Sequence, residues 1–329
     1  MTMTLPPRPH CLLALALATA ACAGSTQDGS PAQDPTQDPD QDLGLNTDDF
    51  EQSIVPLVTT ANFTSAYTGQ GAGATTCNTQ FQLAGQEPAA DGTYPVFLYM
   101  VGTTETFTNA SATAAVAEMA GRGFVAATVQ YDSASFGNCT TLSGKASCMF
   151  NAQTPTSAVN MLCARTKADC EKGVVVAGFS QGSVLATLAK NYDPRVEAAW
   201  GMGDGVNYAI YNLASCVGDG KRKLPSSRLR AIDGERDMFI GPNASNVRSQ
   251  FRTLTGLSCG TATSCLQKDG SGWYIIQNAQ TTDRNADHCY MRASNCTSSE
   301  NTLDKRWQTG TEPWELAANL AWLASYTRP

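Results

Sequence analysis

The sequence predicts an α/β domain, a mostly parallel central sheet with helices on both faces. Two observations predict it. From about Phe50 onward, short apolar runs alternate with longer stretches of helical composition, the signature of strands joined by crossover helices. One of those runs, Gly173-Val174-Val175-Val176-Ala177-Gly178, carries no polar side chain, as expected of a parallel strand covered on both faces. With 329 residues, the chain is long enough to bury a sizeable core.

The elements follow in order. Pro95–Val101 is an apolar run stopped by Gly102, and Ser111–Ala120 is Ala-rich and helical, ending at Gly121-Arg122-Gly123. Phe124–Tyr131 is the next strand, and Thr156–Arg165 a helix with Pro155 near its start, where a missing N–H costs nothing. After Gly173–Gly178 come a helix over Ser183–Lys190 and strands at Val196–Gly201 and Leu229–Asp233. A helix over Asn246–Leu254, a strand at Trp273–Ile276 and an amphipathic helix over Pro313–Ala324 complete the series. That last helix has Trp314, Leu316, Leu320 and Leu323 available for burial. Open sheets of this kind bind ligands beyond the carboxyl ends of their strands.

The N-terminus reads differently. Residues 1–21 have the pattern of an export signal: Arg8, the apolar run Cys11–Ala18, then small residues up to Cys22. The run is too short to span a bilayer. Thr19-Ala20-Ala21-Cys22 is similar to a bacterial lipoprotein signal, which implies lipidation of Cys22 after cleavage and a membrane tether; Thr19 stands where Leu is usual. Residues 22–49 are rich in Asp, Gln and Pro, too polar to offset their ordering entropy, and read as a spacer. The folded domain is then expected over 50–329. Asp38, Asp40 and Asp42 alternate as in a calcium loop, but Leu43 occupies the position that needs Gly.

Composition narrows the function. The net charge is −7 and charged residues are 16%, which disfavours nucleic acid and anionic membrane surfaces as partners. Ten of the 12 cysteines lie beyond Cys22, and an even number in an exported chain reads as disulfides. Proximity in sequence suggests Cys139/Cys148, Cys163/Cys170, Cys259/Cys265 and Cys289/Cys296, leaving Cys77 with Cys216. The absence of Cys-x-x-Cys pairs and the scarcity of histidine argue against a metal, and no cofactor is expected. The location is extracellular, periplasmic or lipid-anchored at the envelope.

Gly178-Phe179-Ser180-Gln181-Gly182 fits the Gly-x-Ser-x-Gly pattern, and so does Gly256-Leu257-Ser258-Cys259-Gly260. Context separates them. Ser180 follows the buried-strand pattern directly and precedes a helix, so a sharp turn would project its hydroxyl at a helix N-terminus. Ser258 follows a polar helical stretch and falls in a loop. A serine nucleophile needs a base. Of two histidines, His10 falls in the signal region, which leaves His288, in a polar loop after the last strand. The acid should lie between them. Asp237, in the loop after Ala231-Ile232-Asp233-Gly234, is the first choice and Asp204 the rival. Asp233 and Glu235 are weaker, and Asp287 is too near His288 in sequence to orient it. For the oxyanion hole, Gln181 should give one amide and Thr103 the other, with Thr104 next.

This order of strand, Gly-Phe-Ser-Gln-Gly elbow, Gly234 with Asp237, then His288, resembles the α/β-hydrolase superfamily from about Tyr94 to the C-terminus. The Ser180-Gln181 pair is similar to cutinases and small carboxylesterases. The resemblance implies the α/β-hydrolase fold and an acyl-enzyme mechanism on carboxylic esters, small or polymeric. A peptidase or polyester depolymerase with the same triad is one alternative, and a non-catalytic surface lipoprotein is another. Val101-Gly102-Thr103-Thr104 replaces the His-Gly-Gly oxyanion loop of many lipases, and no long apolar lid stands out.

Overall fold

The all-apolar run beside Ser180 forms the middle of a nine-stranded sheet. The computed structural model describes residues 57–69, 77, 79–296 and 302–328; the expected signal segment, the linker and Cys22 lie outside them. The strands are β1 (Thr60–Tyr67), β2 (Phe81–Pro88), β3 (Val96–Met100), β4 (Val125–Val129), β5 (Val174–Phe179), β6 (Val196–Met202), β7 (Asn207–Tyr208), β8 (Tyr211–Asn212), β9 (Leu229–Gly234), β10 (Ser264–Leu266) and β11 (Gly272–Ile276). The helices are α1 (Ala110–Gly121), α2 (Cys139–Phe150), α3 (Ala158–Cys163), α4 (Gln181–Leu188), α5 (Ala214–Val217), α6 (Ala244–Thr255), α7 (Lys305–Thr309) and α8 (Leu316–Ala324).

The sheet order is β1-β2-β4-β3-β5-β6-β9-β11-β10, with β7 and β8 forming a separate hairpin. β4, β3, β5, β6, β9 and β11 run parallel, while β1, β2 and β10 add antiparallel edges. This is a mostly parallel sheet flanked by helices, as the sequence predicts. Every residue of β3, β4 and β5 is buried, so both faces are covered. β5 packs against α4 and also against α8, which itself packs on α1, and α4 in turn packs on α2 and α5.

Register places the site. Met100 pairs with Gly178, Phe179 with Met202, Met202 with Ile232, and Gly234 with Ile276. The carboxyl ends of β3, β5, β6, β9 and β11 therefore share one edge. The segments leaving it carry Thr103, Ser180, Asp204, Asp237 and His288 in turn.

Several expected boundaries move. The closing helix begins at Leu316 rather than Pro313, because Pro313 and Trp314 precede its cap residue Glu315. The β1–β2 hairpin and α2 have no counterpart in the sequence reading. β1 (TANFTSAY), at the sheet edge, and β2 (FQLAGQEP), beside it, are partly exposed strands of mixed polarity, without the continuous apolar run that marks a central strand.

The disulfides correct two expected pairings. Cys163–Cys170, Cys259–Cys265 and Cys289–Cys296 are bridged locally, but Cys77 joins Cys148 and Cys139 joins Cys216. The reason is α2. Cys139 and Cys148 lie at opposite ends of this helix, and at 1.5 Å rise per residue they stand roughly 13 Å apart. A disulfide spans less than about 7 Å between Cα atoms, so each cysteine must find a partner elsewhere. The bridged Cα pairs are 5.5 and 5.9 Å apart.

Candidate active site

Ser180 sits between β5 and α4 with φ 53° and ψ −117°, a backbone conformation that a residue bearing a Cβ holds only at a cost of about 1–3 kcal/mol. Its N–H donates to Met202 O at 2.8 Å, which ties the turn to the end of β6. The flanking glycines are required by contact. A Cβ on Gly178 would collide with the backbone of Gly182, and one on Gly182 with the carbonyl of Met100. The second Gly-Ser-Gly match behaves as a loop: Gly256 is the left-handed cap of α6, and Ser258 precedes the Cys259–Cys265 bridge.

His288 lies in the loop after β11 and is buried. Its Nδ1 hydrogen-bonds to Oδ2 of Asp237. The other oxygen of Asp237 accepts from the amides of Phe239 (2.6 Å) and Ile240 (3.1 Å). Burial alone would raise the Asp237 carboxyl. The charge and hydrogen bond of His288, with those amides, outweigh it and hold the group below its ordinary 3.8. The imidazole lies between Phe179 and Phe239, whose ring centroids are 4.9 and 4.8 Å away. Its edge rests on Gly203, where a Cβ would come within 2.7 Å of Cε1. With Nδ1 committed to Asp237, Nε2 is the nitrogen left for proton transfer.

Ser180 and His288 line one cavity of about 430 Å³, together with Thr103, Phe136, Tyr211 and Arg292. Glu105 and Arg292 form an ion pair in its wall, and Glu105 also accepts from the Gly102 amide at 2.7 Å. The amide of Thr104 is committed to Ser133 O at 2.8 Å. In the same turn the Thr103 amide makes no hydrogen bond among the described residues. Gln181 is the first residue of α4, so its amide has no acceptor within the helix.

The side chain of Gln181 was not anticipated as a brace. Its Nε2 donates to Thr103 Oγ1 (3.2 Å) and Ser135 O (2.7 Å), and its Oε1 accepts from Lys145 Nζ (3.4 Å). Lys145, buried on α2, also donates to Ser135 O at 2.6 Å. One amide side chain thus joins the loops after β3 and β4 to the serine turn. A buried lysine in an unforeseen helix left no signal in the sequence.

Asp204 is not brought to His288. Its carboxylate accepts from Ser183 Oγ (3.1 Å), Gly205 N (2.9 Å) and Thr187 Oγ1 (3.4 Å), bracing α4 from below. Burial pushes its pKa from 3.8 up to about 6, against the opposing pull of those donors and Arg222. Because the folded value is the higher one, the contribution to stability is complete below about pH 4. It is lost as pH rises towards 6, and amounts to roughly 3 kcal/mol at 1.36 kcal/mol per unit. Urea unfolding at pH 4 and pH 7 should therefore show wild type losing stability relative to Asp204→Asn as pH rises. Parallel behaviour of the two proteins would contradict this account.

No protein-family model matches the chain, and no curated protein matches it either. Among solved structures, the chain is similar to a Xanthomonas campestris protein described as a member of the a/b serine hydrolases without lid, at 13% identity and a TM-score of 0.41, over 68% of this chain and 85% of that one.

Proposed function

We propose that this chain is a serine hydrolase of carboxylic esters, with Ser180 as nucleophile, His288 as general base and acid, and Asp237 as the group that orients His288. The observation that carries this reading is a strained serine and a carboxylate-bound histidine facing one cavity. A binding protein gains nothing from holding Ser180 at positive φ. In the reaction, His288 Nε2 takes the hydroxyl proton as Ser180 Oγ attacks the ester carbonyl. The amides of Thr103 and Gln181 receive the developing oxyanion, and Asp237 stabilises the imidazolium. Collapse breaks the ester C–O bond, and His288 returns the proton to the leaving alcohol. Water, deprotonated by the same imidazole, then releases the acid and restores Ser180.

The cavity walls favour apolar esters. Phe136, Tyr208, Tyr211 and Phe239 line it. Beside the lining residues Ala209, Tyr211 and Phe239 in the chain, Ile210 is 87% and Met238 76% exposed, and Phe239 itself is 52% exposed. Ile210 lies at the tip of the β7–β8 hairpin, and Ala209 N–H donates to Phe239 O at 3.3 Å, tying the two rims together. An apolar rim that continues beyond the cleft supports a second reading, a polymeric ester whose chain runs across the mouth. The five disulfides support an oxidising compartment. With the signal-like N-terminus, they support an exported enzyme tethered through Cys22.

Turnover of p-nitrophenyl esters should rise with acyl length from acetate upward, and a fluorophosphonate should label a single serine. Ser180→Ala should abolish both. Absence of turnover together with absence of labelling would sink the hydrolase reading. Release of soluble acids from polyester particles, compared with soluble esters, decides between the two substrates.

A further inference from the structure

The base of the triad contains a second buried carboxyl group that the mechanism above does not use. Asp233 is the penultimate residue of β9 and is fully buried. Its Oδ1 accepts from the Gly234 amide at 2.8 Å. Its Oδ2 has no hydrogen-bond partner among the described residues, although it lies beneath the surface. Asp233, Asp237 and His288 each place a side-chain N or O atom within 4.8 Å of the others. No lysine or arginine forms an ion pair with Asp233 among the described residues.

Two carboxylates this close and this deep cannot both be ionised. Asp237 has every reason to hold the charge, since it faces the imidazole and accepts two backbone amides. Asp233 has one amide and an orphan oxygen. A proton on that oxygen supplies the missing hydrogen bond and removes the repulsion in one step.

We propose that Asp233 stays protonated and donates its Oδ2–H to the Asp237 carboxylate, a fourth member of the array that acts on His288 through Asp237. Asp233 is thus a positioning residue and does not touch substrate. Its neutral form agrees with the directions in which the two acids are pushed: Asp233 well above its ordinary value by burial and by the Asp237 charge, and Asp237 below. The remaining titratable groups that act on the cluster are Asp204, Asp287 (on His288), Tyr208 and Tyr290. Both tyrosines are held neutral by burial. The donated hydrogen bond withdraws charge from Asp237 and limits how strongly that carboxylate favours the imidazolium.

The role in catalysis rests on the proposed hydrolase reading, but the proton on Asp233 is testable without activity. The chain has two histidines, His10 and His288, so the ring protons of His288 can be followed by NMR titration and assigned by their loss in His288→Ala. Asp233→Asn keeps a donor towards Asp237 and an acceptor for Gly234, so the His288 midpoint should stay within about 0.3 pH unit of wild type. Asp233→Leu removes the donor, leaves Asp237 with its full charge, and should raise the midpoint by about one unit. If wild type turns over esters, the acid limb of kcat should move with it, and kcat should fall at least tenfold in the leucine variant at unchanged KM. A merely structural residue would lower thermal stability in both variants without moving the midpoint.

A fall of a unit or more in Asp233→Asn would overturn the proposal, because it would mean that a negative charge had been removed. An unmoved midpoint in Asp233→Leu would overturn it too. Should the leucine variant not fold, the asparagine variant alone decides: an unchanged midpoint supports a neutral Asp233, and a downward shift refutes it. Failure of wild type to hydrolyse any ester counts against the hydrolase reading and leaves this titration intact.

Discussion

His288→Ala is expected to lower kcat on an ester by about six orders of magnitude. No other imidazole exists among the described residues to take the proton, and Tyr208 in the cavity wall and Lys145 behind Gln181 are engaged in hydrogen bonds of their own. Ser180→Ala should cost about as much, and the double variant little more than either alone. That non-additivity is the sharper test. Nucleophile and base act as one unit, so once either is lost the other has nothing to activate. Independent losses that multiplied would place the two residues in separate roles. Far-UV circular dichroism of each variant should match wild type, because Ser180 and His288 both lie outside the strands and helices.

The second large effect separates two buried acids. Asp237→Asn should reduce kcat by about four orders of magnitude with KM little changed, because an amide at this position can hold the imidazole in the wrong tautomer. Asp204→Asn should stay within about tenfold of wild type, since its carboxylate faces Ser183, Thr187 and Gly205 rather than the imidazole. Steady-state kinetics on one p-nitrophenyl ester measures both. A collapse of activity in Asp204→Asn with a mild effect at Asp237 would reverse the assignment.

The parallel core was legible because its strands are short, apolar and bounded by glycine, and β3, β4 and β5 lie within two residues of where composition put them. The edge strands were not legible. The hydrogen bonds of β1 and β2 come from partners distant in sequence, such as Thr60 paired with Pro88, and their side chains mix exposed, half-buried and buried positions. Ser180 could be told from Ser258 by local context alone, because a strand-to-helix turn is a local event. His288 emerged from a count of histidines. Asp237 was preferred to Asp204 in sequence, although both follow a buried strand and a glycine; the hydrogen bond to His288 Nδ1 shows which one meets the imidazole. Lys145, the Gln181 side chain and the orphan oxygen of Asp233 depend on packing between segments distant in sequence, and composition holds no trace of that.

The two corrected bridges carry a consequence for how the molecule fails. The ring closed by Cys77 and Cys148 and the ring closed by Cys139 and Cys216 overlap along α2. A single peptide-bond break anywhere between Cys77 and Cys216 therefore severs no fragment from the rest. The strand that delivers Ser180, the loop that carries Thr103 and most of the central sheet fall inside this covalent double loop. A protease that nicks an exposed loop there leaves one particle of nearly unchanged mass, with its packed sheet still in register. Damage of that kind becomes visible only once the disulfides are reduced, and a protein so built can be cut before it is lost.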